Sequence, residues 1–322
     1  MLVCSLYAFH LEIRYASSEE PLRLQVTPEL SSLNIKKSPP LPLSRGQLQS
    51  NNEVWIEEDL YHQVQDGETL SGIARSFDLG FNEIVGYNWN VNTKHPDKEI
   101  LLRIVRRRIP PKIEQKTGLV INLAETRLYW LQKNGWFDTF PVGIGREGYD
   151  TPLGKTLVVR KKSQPTWYVP EMLRKKNPKL PAQIPPGPQN PLGAHALYLG
   201  WPGYLIHGTN DPFNSIGRRV SHGCIRLYPE DIAQLFAMVP VNEPVWVINQ
   251  PAKAGWLHDD LYLELHPSHA SNKKKLAVLA QEEIAQALAR KSGQSTWFDW
   301  QLIDQMETNP DGIPRKVGGI KK

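Results

Sequence analysis

The chain has 322 residues, 40% of them hydrophobic and 9% aromatic, enough to build cores for two modest domains with connectors. Its 27 prolines and 23 glycines favour turns and short strands over a helical bundle. The formal charge of +5 favours anionic surfaces. The basic runs Arg106-Arg107-Arg108, Arg160-Lys161-Lys162 and Arg174-Lys175-Lys176 nevertheless come with no reader helix or aromatic binding sheet, which argues against a nucleic-acid partner.

In chain order, residues 2–13 form a short apolar run followed by Ala16-Ser17-Ser18. With no positively charged segment before it, the run reads as the remnant of an export signal, with an edge strand as the alternative. No stretch approaches the roughly 20 apolar residues of a membrane-spanning helix. Residues 27–53 are polar and Pro-rich and read as a linker, so 1–58 is assigned to signal remnant and linker. From Tyr61 a compact unit begins. Tyr61-His62-Gln63-Val64 alternates as a strand, Asp66-Gly67 turns, and Thr69 caps a helix over 70–77 whose apolar face is Leu70, Ile73, Ala74 and Phe77. No closing strand is read between Trp89 and Ile104.

Ile109-Pro110-Pro111 breaks regular structure, and a β-rich unit follows. Strands are read at 119–123 and 128–133, with Asn134-Gly135 as a type I′ turn and 136–142 as the return strand. Further strands fall at 156–159, 196–199, 204–206 and 245–248. One helix is expected over 229–238, where Pro229 suits the first helical position and Glu230 and Asp231 suit the positive end of the dipole. Short strands with one helix between them predict a sheet sandwich. After Pro251, residues 273–290 read as an amphipathic helix with Leu276, Leu279, Ile284 and Leu288 on its apolar positions, giving a helical extension over 251–322.

The reactive groups concentrate in Leu205-Ile206-His207-Gly208-Thr209-Asn210 and Ser221-His222-Gly223-Cys224-Ile225-Arg226. Only Cys4 and Cys224 are present and they lie far apart, so no disulfide framework is indicated and Cys224 is available as a nucleophile. A free thiol ionises near pH ~8.5, and an adjacent imidazole favours the thiolate that does the chemistry. Both His207 and His222 qualify: His222 lies two residues before Cys224, and His207 ends a separate strand. Gly223 lets the backbone approach closely, with amide N–H groups able to hold an oxyanion. A zinc site built from His207, His222 and Cys224 is the competing chemistry, disfavoured because these segments carry no carboxylate base.

Two resemblances follow from these residues. The stretch with Val64, Gly67-Glu68-Thr69-Leu70, Ile73-Ala74 and Asn88 resembles a LysM module, which implies a βααβ unit over 59–110 that binds glycan strands, with Gly67, Thr69 and Asn88 as candidate contacts. His207-Gly208 with Ser221 to Arg226, together with the Thr151-Pro152-Leu153-Gly154 turn, resembles the L,D-transpeptidase (YkuD-like) catalytic domain over 117–250. The fold class implied is mainly β, an L,D-transpeptidase-like β-sandwich with one helix. The resemblance implies a periplasmic, wall-associated enzyme acting on peptidoglycan stem peptides without metal or other cofactor. Cys224 would attack the carbonyl between diaminopimelate and D-Ala, His207 would move the proton, and the Gly208 carbonyl would orient the imidazole. Amides around Gly223 and Cys224 would hold the oxyanion, while Ser221, His222 and Arg226 would shape the site or contact substrate carboxylates. Trp167, Tyr168, Tyr198 and Trp201 are candidates to line the cleft, or else core and rim aromatics. The acyl acceptor implied is a diaminopimelate amine, giving a 3→3 cross-link, or the lysine of an outer-membrane lipoprotein. Water as acceptor, making an L,D-carboxypeptidase, and a glycan-binding wall protein with an inactive domain are the alternatives.

Overall fold

A computed structural model of the chain describes residues 45–47, 53–55, 59–112, 117–267 and 275–321. The export-signal run, Cys4 and most of the linker lie outside the described residues. The linker reading needs correction at its end. Strand β1 (Arg45–Gln47) lies antiparallel on a strand at 136–141, with Gly46 opposite Phe137. Val54 and Trp55 are buried, and Glu53 N–H bonds the Trp256 carbonyl at 2.7 Å. The physical reason is that 136–141 would otherwise present an unpaired sheet edge.

The first module is β2 (Leu60–Gln63), α1 (Leu70–Ser76), α2 (Phe81–Tyr87) and β3 (Leu101–Ile104). Thr69 caps α1 as expected, its Oγ1 accepting from Gly72 N at 3.1 Å. Leu70, Ile73 and Ala74 are buried beneath it. The closing strand that sequence reading did not find is β3, antiparallel to β2 with Leu60 opposite Ile104. Its sequence, Leu-Leu-Arg-Ile, is too short and too evenly apolar to show alternation.

The second module contains β4 (Gly118–Asn122), β5 (Arg127–Leu131), β6 (Trp136–Pro141), β7 (Ile144–Gly145), β8 (Gly154–Ser163), β9 (Trp167–Tyr168), α3 (Glu171–Lys176), β10 (Gln183–Ile184), β11 (His195–Leu199), β12 (Leu205–His207), β13 (Arg219–Ser221), β14 (Ile225–Arg226), α4 (Pro229–Met238) and β15 (Pro244–Ile248). Nine strands hydrogen-bond in the order β1-β6-β5-β4-β15-β8-β11-β12-β14. The long strand β8 joins two halves, its first residues 154–157 pairing with β15 and its later residues with β11. Apolar side chains of both halves, among them Leu119, Ile121, Val245, Leu197, Ile206 and Ile225, enter one core that α4 closes with Ile232 and Leu235. The molecule is mainly β, as expected, and α4 has the predicted bounds with Pro229 in its first turn.

The turn between β5 and β6 differs from expectation. Only Gly135 has a positive φ, at 81°, and Gly135 N–H closes onto the Gln132 carbonyl at 3.1 Å. Asn134 uses its Oδ1 to accept from Trp136 N at 3.1 Å instead of turning left-handed. The result is a three-residue loop with one left-handed residue, the common alternative to type I′.

The region after Pro251 is more than helical. β16 (Ala252–Leu257), β17 (Asp260–Leu265), α5 (Leu276–Ala289), β18 (Thr296–Phe298), α6 (Trp300–Thr308) and β19 (Arg315–Ile320) make a four-stranded sheet ordered β16-β17-β19-β18 with two helices packed on it. The helix read at 273–290 is α5, and Ile284 and Ala287 face the sheet. The β16–β17 hairpin escaped the helical reading because Lys253 and Glu264 are buried charges that interrupt its apolar alternation. Among the described residues no helix is long and apolar enough to cross a membrane.

Candidate active site

Strands β12 and β14 run parallel, with Ile206 opposite Ile225 and His207 opposite Arg226. Partnered residues in a parallel pair face the same way, and every second residue along a strand shares that face. Ile206 and Ile225 enter the core. His207, Arg226 and Cys224 therefore occupy the opposite face, where the continued register sets Cys224 beside Leu205.

His207 is only 3% exposed. Its Nδ1 lies 2.6 Å from the Gly208 carbonyl oxygen. A carbonyl only accepts, so Nδ1 carries the proton and the Nε2 lone pair is left for chemistry. Burial pushes the imidazole down to about 3. The Arg226 guanidinium acts in the same direction, and the Gly208 and Leu192 carbonyls oppose it only in part. The ring is neutral at ordinary pH, a base and not a standing cation.

The turn that carries Cys224 is clamped from two sides. Ser221 is fully buried, and its hydroxyl accepts from Gly223 N–H at 3.0 Å and donates to the Cys224 carbonyl at 2.6 Å. Thr151 Oγ1 donates to the Gly223 carbonyl at 2.9 Å and accepts from Gly145 N–H at 3.1 Å. Gly223 has φ +103, and a Cβ there would sit 2.7 Å from the Tyr204 ring. This corrects the expectation that the Gly223 amide faces an oxyanion. That N–H is already bonded to Ser221, and the residue sets the backbone turn.

Cys224 is half-buried, and its Sγ lies 3.5 Å from the Gly203 carbonyl. Burial raises the thiol above its ordinary value, while the Leu205 N–H and the Arg226 guanidinium pull it down. At rest the sulfur is hydrogen-bonded to neither His207 nor His222, consistent with a neutral thiol beside a neutral imidazole. Catalytic hydrogen bonds commonly tighten only once substrate is bound.

His222 is exposed and turned to other partners. Its Nε2 lies 3.0 Å from Arg146 Nη2, and its ring meets Tyr149 edge-on at 4.7 Å. Because a guanidinium only donates, that nitrogen is unprotonated. At rest His222 is thus engaged by Arg146 and Tyr149 and not by the thiol. Among the described residues His207, His222 and Cys224 do not gather their ligand atoms, so the zinc reading fails. The group that does is Glu125, Glu264 and His266, and Lys253 Nζ already bridges its two carboxylates at 2.8 and 2.7 Å.

Of the aromatic candidates, Tyr198 pairs with Leu205 and so shares the face of His207, with the Arg160 guanidinium 3.8 Å above its ring. Trp167 and the exposed Tyr168 lie on the short β9–β10 pair. Trp201 packs on the core beside Tyr204. In the first module Gly67 makes the turn at φ +80. Thr69 accepts the helix-cap bond on its hydroxyl oxygen. Asn88 bonds the Ile84 carbonyl and both the carbonyl and N–H of Arg103. Asn88 thus spends its side-chain amide on the fold, whereas the exposed Thr69 hydroxyl keeps its own proton to donate.

Sequence reading missed Tyr204, Gly203, the Leu205 amide, Arg146 and Tyr149. Thr151 carried a signal, the Thr-Pro-Leu-Gly turn, but its role as a clamp on Gly223 did not.

The cysteine turn and the carbonyl-held histidine lie within a stretch that a family model and curated relatives also match. The model of the L,D-transpeptidase catalytic domain (YkuD) matches residues 116–247, and that of the LysM domain matches residues 62–98. The chain is 36% identical over 291 residues to the probable L,D-transpeptidase YbiS of Escherichia coli K12, covering 86% of this chain and 91% of that protein. It is 39% identical over 219 residues to the probable L,D-transpeptidase ErfK/SrfK of the same strain, covering 66% and 69%. A solved L,D-transpeptidase from Mycobacterium smegmatis aligns with a TM-score of 0.34 and 19% identity, over 46% of this chain and 63% of that one. The chain belongs to the L,D-transpeptidase family.

Proposed function

We propose that the chain is a cysteine-dependent L,D-transpeptidase that acts on peptidoglycan tetrapeptide stems through a thioester on Cys224. The observation that carries this reading is His207 Nδ1 held by the Gly208 carbonyl, which leaves Nε2 as a neutral base on the face that bears the thiol.

In this reading His207 Nε2 takes the thiol proton as Sγ attacks the carbonyl between diaminopimelate and D-Ala. The Cys224 amide holds the oxyanion, and the Arg226 guanidinium favours the developing thiolate. Collapse breaks the C–N bond, His207 passes its proton to the leaving D-Ala amine, and a thioester remains. An incoming amine attacks the thioester and gives its proton to Nε2, and the sulfur leaves and is reprotonated. The acceptor is a diaminopimelate amine of a second stem or the lysine of an outer-membrane lipoprotein, which sets the enzyme at the periplasmic wall. Residues 62–98 would hold it to glycan strands, in keeping with the LysM likeness.

Incubating the protein with disaccharide-tetrapeptide and competing amines, with products identified by mass, tests the reading. Released D-Ala and an amine adduct are expected. Cys224→Ala should abolish both, and undiminished release by that variant would refute the assignment of the nucleophile.

A further inference from the structure

Three cations converge on His222 at the mouth of the site. Arg146 donates to its Nε2, and burial followed by the charges of Arg146, Arg226 and Lys176 holds its imidazole below the ordinary range. Among the described residues, none of these three cations has a carboxylate within ion-pair distance. The nearby acids are otherwise engaged or stand off. Asp150 pairs with Arg219 at 2.7 Å, and Asp211 accepts from Asn214 at 3.0 Å and reaches Arg226 only through its field. Like charges gathered without a counterion raise the local potential, and a bound anion relieves it.

Arg146 is the member of this group best placed to receive such an anion. Its backbone N–H bonds the Ser221 carbonyl at 3.1 Å, which ties it to the nucleophile turn. The guanidinium lies 4.8 Å from the Tyr149 ring centroid and is steadied by His222, both neutral partners. The residue is exposed, and a guanidinium has five N–H donors, so its bonds to His222 and to the Tyr149 hydroxyl leave donors of the fork open. Lys176 is brought to the same place from α3, its Nζ 2.6 Å from Tyr149 Oη. A planar donor fork backed by an aromatic ring and a second cation suits a carboxylate.

We propose that Arg146, with Lys176 beside it, is a specificity-determining residue that binds a carboxylate of the acyl-donor stem peptide. This rests on the reading of the chain as an enzyme of peptidoglycan stems. It adds a subsite formed by residues upstream of the His-Gly and Ser-His-Gly-Cys segments.

The test uses the full chain and D-Ala release from disaccharide-tetrapeptide. Wild type, Arg146→Gln, Arg146→Lys and Lys176→Gln are compared on the intact stem and on stems amidated singly at each carboxylate. On the intact stem, Arg146→Gln should raise KM roughly tenfold while kcat stays within about threefold, as loss of an exposed charge-assisted contact would do. Arg146→Lys should fall between wild type and Arg146→Gln. One amidated stem should show the raised KM already with wild type and little further rise with Arg146→Gln. A fall in kcat at unchanged KM, or an undiminished Arg146 effect on every amidated stem, would overturn the proposal. If a variant does not fold, the amidation series on wild type still decides, because an unchanged KM on all stems excludes a carboxylate subsite. Failure of wild type to release D-Ala from the intact stem would instead sink the proposed function, so the two failures are distinguishable.

Discussion

Glu83 of the first module and Arg127 of the second form a buried ion pair, Oε2 to Nη2 at 2.9 Å, and Arg108 lies on the other carboxylate oxygen at 2.7 Å. Burial alone would raise the Glu83 carboxyl, but Arg127 and Arg108 outweigh it and bring it down from 4.5 to about 2. A depressed folded-state value means that the stability is present above pH 4.5 and is lost as pH falls toward about 2. Glu83→Gln should therefore cost about 3 kcal/mol at neutral pH, because two buried guanidinium groups lose their counterion. Thermal unfolding at pH 7 and at pH 3 measures this. The variant and wild type should differ less at pH 3, and an equal gap at both pH values would count against the ion pair.

Lys253 plays the matching part between the second module and the sheet after Pro251, bridging Glu125 and Glu264 while fully buried. Glu264 also accepts the Ile109 amide at 2.7 Å, so the site ties three stretches of chain together. Lys253→Met should destabilise by about 3–5 kcal/mol, since it strands two buried carboxylates. Adding Glu125→Gln and Glu264→Gln should recover part of that loss. Denaturant midpoints of the single and triple variants check it, and a triple variant weaker than the single one would argue that the carboxylates do not depend on the lysine.

At Cys224, burial raises the thiol, so little thiolate exists at neutral pH, and reactivity should climb only beyond the ordinary thiol range near pH ~8.5. Alkylation by iodoacetamide followed against pH should show this rise. Arg226→Met removes a charge that favours the thiolate and should move the midpoint upward. His207→Ala should leave the alkylation curve nearly in place yet reduce D-Ala release at least about 100-fold, because the imidazole acts in the step and not as a resting ion-pair partner. A wild-type midpoint below neutrality would contradict this picture.

Gly223→Ala meets two obstacles, a φ of +103 and the Tyr204 ring 2.7 Å from the new Cβ. Acylation of Cys224 by a carbapenem, read by mass, should fall at least about tenfold while the fold persists, because a displaced turn disturbs the placement of the sulfur. Adding Tyr204→Ala opens the space but leaves the backbone strain, so rescue should be partial. Full rescue would mean that the ring contact alone matters.

Much of this protein was decided locally. Thr69 before Leu70, Pro229 with Glu230 and Asp231, and the apolar run from Leu119 onward each carry a cap or a strand signal within a few residues, so their elements could be read in order. The His-Gly and Ser-His-Gly-Cys segments likewise marked the reactive groups, since residue type and spacing suffice to name a thiol and its candidate bases. Choosing between His207 and His222 needed the fold. The parallel register of β12 with β14 and the turn of His222 toward Arg146 join residues 19 and 76 positions apart, and no local preference encodes such contacts. The same holds for β1 covering the edge of β6, for the sheet hidden by buried Lys253 and Glu264, and for Glu83 meeting Arg127. Local sequence limits backbone conformation through sterics and caps, whereas which distant charges and edges meet is settled only when burial makes leaving them unpaired too costly.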